Sequence, residues 1–403
     1  MIQPIAKEKC LPEIVDIFEE LVAHRHDIHA HPECGFDTER TIGQIKAFLS
    51  KHGVPEKDMD TTTSPGSMFV TIEGNRPGKT VAIRADIDAL KMQDKGTQEW
   101  RSTVNGKAHA CGHDGHQTWL MGTGAYLASH RDFPGRVVLL FQAAEETGKG
   151  ALKVVGDGFI EKYNVCEMYA AHDEPFLSKG QVGFKVGYLQ AASDSFSVKF
   201  TGVGTHGGRP HMGTDPLPAI TELYQALQTL VSRKVNPLES AVVSICFINA
   251  GLVETYNVVP AEASLGGTVR TFRPEIRDMI ESTAKRMAEG IAMAHGLKCE
   301  FNYERLISSV NNDEKLTKEA TRLAQELLGK DNVVVEMTPF MSSEDFSVYQ
   351  EKVPATICRI GIKDENHTVS VHNPAFDFND EVLALASTLF VKLATTRLHE
   401  LAK

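Results

Sequence analysis

The chain lacks several features that would have fixed its class early. No apolar run in its 403 residues reaches the roughly 18–20 that a membrane helix needs. No basic stripe stands out: 42 Lys and Arg against 53 Asp and Glu leave a net charge of −11, which argues against a general nucleic-acid binder. Internal repeats and low-complexity tracts are missing. A disulfide framework would be even and dense. The seven cysteines are odd in number and scattered, at Cys10, Cys34, Cys111, Cys166, Cys246, Cys299 and Cys358. The opening segment, MIQPIAKEKCLPEIVDIFEEL, carries Glu and Asp where a signal peptide would be apolar. The expectation is a cytoplasmic chain with neither nucleic acid nor membrane as partner. Its length calls for two or more domains. What is abundant is histidine, 16 residues, several of them in short polar clusters.

Apolar spacing predicts a helix over 12–31, ended by Pro32 and Gly35, and a second over 40–53. Strands are expected at 68–74, 80–87, 136–142 and 165–172, with a helix from His116 to Ser129 between the second and third. Buried apolar strands alternating with helices indicate an α/β sheet covered on both faces. Polar residues fall at the predicted strand ends, where open α/β sheets place their sites: Arg84 to Asp86, Glu145-Glu146 and His172. The middle of the chain differs. SDSFSVKFTG (193–202) alternates apolar and polar residues, as a half-exposed strand does. The order strand–helix–strand–strand–helix–strand that follows reads as an α+β sandwich. The expected fold is therefore a discontinuous α/β domain, 1–190 and 311–403, with an α+β domain inserted at 191–310.

Four clusters carry chemistry. In His109-Ala-Cys111-Gly112-His113-Asp114-Gly115-His116, a Cys and a His two residues apart combine metal ligands of different softness, and the glycines let neighbouring side chains converge. The competing reading is a polar loop entering a helix, with Asp114 as its N-cap. Glu145-Glu146 follows a strand. In extended geometry the two carboxylates point to opposite sides, so one would bind metal and the other would face substrate as a base; a solvated turn is the alternative. His172 and His372 complete the set. Cys, His, Glu, His and His are enough for two ions sharing a ligand. Asp86 reads as a carboxylate that orients a ligand, or as a strand-end Asp making turn hydrogen bonds. His206, in a glycine-dense loop, meets substrate or is a surface histidine.

RADIDAL, ACGHDGH, FQAAEETGKGA, PHMGTDP, NVVPAEASLGGTVRTF and MSSEDF, in this order, resemble the signatures of the M20 metallopeptidase family. The likeness is stronger to its amidohydrolase branch of N-acyl-amino-acid, hippurate and auxin-conjugate hydrolases. It spans nearly the whole chain, from residue 24 to residue 380. It implies a zinc-peptidase-like α/β catalytic domain with a small lid domain that forms dimers or tetramers. It also implies two divalent ions, zinc, manganese, cobalt or nickel, on Cys111, His113, Glu146, His172 and His372. The resemblance makes Glu145 the general base, Asp86 the orienting carboxylate and His206 an oxyanion donor reaching a neighbouring subunit; Asn257 and Arg270 bind substrate. The chain departs from the pattern at TGKG (147–150), at Asp173-Glu174-Pro175 after His172, and at THGGRPH (205–211). Lys149, Asp173, Glu174 and Arg209 therefore either add charge near the pocket or are solvated loop residues.

The expected reaction is hydrolysis of the amide bond of an N-acyl amino acid. Three rivals stand beside it. A dipeptidase or exopeptidase on the same fold is disfavoured by the CGHD motif. A hydrolase using Cys111 as nucleophile leaves Glu146, His172 and His372 without roles. A non-catalytic binding protein would show degenerate ligand positions.

Overall fold

The computed structural model describes residues 2–403. The chain divides into two compact units. The first comprises residues up to Gly187, Asn311–Thr338 and Asp345–Lys403; the second comprises Tyr188–Val310 and Pro339–Glu344.

The chain enters the first unit through a one-turn helix, Pro12–Asp16, and α1 (Phe18–Ala30); the single helix expected over 12–31 is broken at Ile17, whose backbone leaves the helical region. Then come α2 (Glu39–Lys51), β1 (Met68–Glu73), β2 (Arg76–Asp86), α3 (His113–Ser129), β3 (Pro134–Gln142) and β4 (Val165–Ser178). The second unit supplies β5 (Ala192–Thr201), α4 (Pro216–Lys234), β6 (Ala241–Ala250), β7 (Glu262–Thr271), α5 (Pro274–Ala294) and β8 (Lys298–Ile307). The chain then returns with α6 (Glu314–Leu328), β9 (Ala355–Lys363) and α7 (Leu383–Leu401).

An eight-stranded sheet forms the frame of the first unit. Its central strands lie in the order β1-β3-β2-β4-β9; β1 runs antiparallel to β3, and β3, β2, β4 and β9 are parallel. Val137 to Phe141 are fully buried, as a parallel strand with both faces covered requires. Helix α3 is buried over most of its length, because it packs on the sheet and against α1, α2 and α7. Close approach to α7 requires glycine at 122, where a Cβ would lie 2.5 Å from Ser387 Oγ.

Two elements differ from expectation. Helix α3 begins at His113, three residues early, because Gly112 takes φ +81° and starts the turn there. Asp114 is not its N-cap: its carboxylate turns inward to His29 Nδ1 at 2.8 Å, with Arg25 at 3.6 Å. Strand β4 runs on to Ser178, paired with Lys363 of β9, so His172 sits within the strand rather than at its end.

The Asp114 contact belongs to a buried polar network. Arg25 grips Asp380 at 2.6 and 2.8 Å and Asp377 at 2.9 Å, tying α1 to the approach of α7. Burial opposes protonation of His29, but the Asp114 and Asp94 carboxylates outweigh it and raise its pKa from 6.5 to about 9. A raised histidine stabilises the fold fully below its unfolded value and loses that contribution as pH climbs through the folded value. Denaturant unfolding should therefore show stability falling by about 3 kcal/mol between roughly pH 6.5 and 9.5. His29→Gln should flatten that fall; an unchanged slope would reject the assignment.

The second unit is an antiparallel sheet in the order β6-β7-β5-β8. Phe196, Val198 and Phe200 alternate inward from β5 and pack under α4 and α5 against Leu223, Leu227, Ile280 and Ala284. Ser195, Ser197 and Lys199 point the other way and are partly exposed. All seven cysteines are free thiols. Among the described residues, no helix is long and apolar enough to cross a membrane.

Candidate metal and active site

Four segments of the first unit bring the five expected ligands together. Gly112, in its left-handed conformation, turns Cys111 and His113 towards one point at the start of α3. The segment after β3 brings Glu145 and Glu146, β4 brings His172, and the segment before α7 brings His372. Ligand atoms of Cys111, His113 and His172 lie within 4.8 Å of one another, as do those of Cys111, Glu146 and His372. Cys111 is common to both groups. Its Sγ is 3.5 Å from His172 Nε2, and His372 Nε2 is 3.5 Å from Glu146 Oε1.

The glutamate pair corrects a geometric expectation. Residues 145–147 form a 3-10 turn, not extended chain, because Ala144 adopts φ +60°. Both carboxylates therefore reach the same side: Glu145 Oε2 is 4.0 Å and Glu146 Oε1 3.9 Å from His113 Nε2. His372 also has positive φ, +62°, with its amide bonded to the Ala110 carbonyl at 2.6 Å. Positive φ is strained for a side-chain-bearing residue, and of the five such residues among those described, two stand at this site.

The supports were mostly illegible in the sequence. Asp88, given no role there, holds two site groups: its carbonyl accepts from His113 Nδ1 at 2.8 Å, and its carboxylate accepts the Glu145 amide at 2.9 Å. Its position two residues after Asp86 in RADID was the available signal. Asp86 stands 3.8 Å from His113 Nε2, but its hydrogen bonds go to His116 Nδ1 at 2.6 Å and Arg84 at 2.7 Å. Arg84 also donates to Gln142 at 3.0 Å and Asp345 at 2.7 Å, which joins the ends of β2 and β3 to Asp345. Asp173 and Glu174 are buried, not solvated, whereas Lys149 and Arg209 are exposed.

Burial alone would raise the Asp86 carboxyl, but His113, Arg84 and His116 hold it well below the usual range. Burial also opposes charge on His113, and Asp86, Cys111 and Asp88 overcome it and raise its pKa. Burial and the Glu146 carboxylate push the Cys111 thiol up, and burial followed by Arg359 pushes His172 down. The donor set fits a metal centre. His113 Nε2 and Glu146 Oε1 are buried without a hydrogen-bond partner, and buried polar atoms are seldom left so. Thiol, imidazole and carboxylate converging on shared points can be satisfied by a bound cation.

Peptidase family M20/M25/M40 matches residues 82–396. The chain belongs to the M20 peptidase family. Its relatives within M20 include amidohydrolases. It is 37% identical over 375 residues, covering 93% of this chain and 96% of the relative, to an N-acetylcysteine deacetylase of Bacillus subtilis. It is 35% identical to the hippurate hydrolase of Campylobacter jejuni, covering 95% and 98%. The crystal structure of the Bacillus subtilis YXEP protein, a dinuclear metal-binding M20 peptidase, superposes with a TM-score of 0.83 at 33% identity, covering 95% and 99%. The M20 fold expected from the motifs is thus the fold observed.

The remaining expected residues lie in the second unit. His206 is exposed in a short strand, Thr205–His206, paired with Val258–Val259. Its Nδ1 accepts the Gly208 amide at 3.0 Å, which fixes the hydrogen on Nε2. The carbonyl of Asn257 accepts from the Gly207 amide at 2.7 Å. Arg270, on β7, is half-buried and donates to Thr268 and to the Val269 carbonyl.

Proposed function

We propose that the chain hydrolyses the amide bond of N-acyl amino acids. The observation that carries this reading is the pair of ligand groups sharing Cys111, with the Glu145 carboxylate beside them. Cys111, His113, Glu146, His172 and His372 would hold two divalent ions, zinc, manganese, cobalt or nickel by the chemistry of the set. Bound there, these would supply Lewis-acid polarisation of the scissile carbonyl and acidification of a water. Glu145 takes the proton of the attacking water and returns it to the leaving amine. Asp88 holds the Glu145 backbone in place for this, and its carbonyl keeps His113 Nε2 free as a ligand atom. Asp86 acts on the site through His116 and by its charge beside His113.

His206, reaching the site of a neighbouring subunit, donates from Nε2 to the developing oxyanion, and the Gly208 bond to Nδ1 supports that role by selecting the tautomer. Arg270 and Asn257 hold the substrate carboxylate, since a guanidinium matches its two oxygens. His206→Ala should lower kcat by about 10²-fold or more with metal content unchanged. Metal loss in that variant would make His206 a ligand instead.

The reading includes a homo-oligomer through the second unit. Strand β6 is a sheet edge bearing half-exposed Phe247 and Ile248, followed by Leu252, Val253 and Tyr256, all largely exposed. Uncovered apolar edges of this kind support pairing with a second copy. A thiol nucleophile is the poorer reading. It leaves Glu146, His172 and His372 without roles, and burial with the Glu146 carboxylate pushes the Cys111 thiol up, against thiolate formation. The deciding assay is a panel of N-acetyl, N-benzoyl and longer N-acyl amino acids, run with each metal added back.

A further inference from the structure

One buried constellation beside the ligands takes no part in the hydrolytic step. His116 carries a carboxylate on each ring nitrogen: Asp86 Oδ1 at 2.6 Å from Nδ1 and Asp173 Oδ1 at 2.9 Å from Nε2. The Asp173 amide donates to the same Nε2 at 3.0 Å, so both the backbone and the carboxylate of residue 173 are held at that nitrogen. The ring is stacked on Trp119 at 4.6 Å, and all four side chains are fully buried. Its orientation is thus fixed from three sides.

Asp173 passes this fixation on to His172. Its carbonyl accepts from His172 Nδ1 at 2.8 Å, and its carboxylate is 3.2 Å from the same nitrogen. With the hydrogen on Nδ1, the lone pair of His172 is on Nε2, the atom that faces Cys111. The fold makes room for this carboxylate: a Cβ on Gly112 would lie 2.2 Å from Asp173 Oδ1. Asp173 Oδ2 has no hydrogen-bond partner, so packing and hydrogen bonding alone do not account for a buried charge here.

We propose that Asp173 is a positioning residue for His172. The series Asp86–His116–Asp173 holds in place the Asp173 carbonyl that fixes the His172 tautomer and the carboxylate beside its ring, and so sets the affinity of the ion shared by Cys111, His113 and His172. The inference rests on the two-ion reading above. Losing a residue that supports a ligating histidine typically costs about 10–100-fold in metal affinity or activity.

The test is Co²⁺ titration of the full-length protein after chelation, followed by visible absorption and by ions bound per chain. Wild type should take up two ions. Asp173→Asn, nearly the same shape, should bind one as wild type does and the other about 10–100-fold more weakly. Two ions at wild-type affinity in the variant would overturn the proposal. So would an equal weakening of both, which marks a general loosening of the fold. A variant that is insoluble alone but folds with millimolar Co²⁺ supports it, and one that stays insoluble with metal overturns it. If wild type itself fails to bind two ions, the two-ion reading fails, an outcome distinct from failure of the variant alone.

Discussion

Glu145→Gln should retain both ions and lose about 10²–10⁴-fold in kcat. Glutamine keeps the shape and the backbone hydrogen bond to Asp88 but cannot take a proton from water. In the proposed set Glu145 is not a ligand, although its carboxylate is 4.0 Å from His113 Nε2, so substrate affinity should change little. Single-turnover rates measured with metal content separate the roles. A variant with most of its turnover would remove Glu145 as the base. One that loses an ion would move it into the ligand set, as its place with His113 and Glu146 permits.

A larger loss is expected from Cys111→Ala. Cys111 is the member common to both ligand groups, so its removal weakens both at once. It also leaves His113 Nε2 and Glu146 Oε1, already without hydrogen-bond partners, close to fewer groups that an ion could bridge. Hydrolysis should fall to background, and ion content should fall for both sites. His372→Ala, which touches only the group with Glu146, should lose one ion and keep the other. If Cys111→Ala keeps two ions, the shared-ligand arrangement is wrong. If it keeps two ions but loses turnover, the thiol reading returns.

Much of this was legible in the sequence. The apolar runs of β2 and β3 and the alternation in β5 fixed two kinds of sheet, because burial on two faces and on one face leave different periods. The five proposed ligands stood out because they sit in short polar motifs, which the resemblance to the M20 family joins into one set. Their supports were not. Asp88, His116 and Asp173 act through contacts with residues far along the chain, such as His116 with Asp173, and no local pattern reports that pairing. The reach of Glu145 was misjudged because Ala144 takes a left-handed conformation, which alanine does not announce. The sequence puts His172 at a strand end because the apolar run stops there and polar His-Asp-Glu follows. Pairing with β9 keeps that stretch extended and buries all three residues.

The most direct test of the central claim is hydrolysis of N-acyl amino acids by the purified protein, before chelation, after it, and after metal is returned. Amide cleavage should disappear with the ions and come back with them at two per chain. Hydrolysis indifferent to the chelator, or no cleavage of any N-acyl amino acid by metal-loaded protein, would contradict that claim.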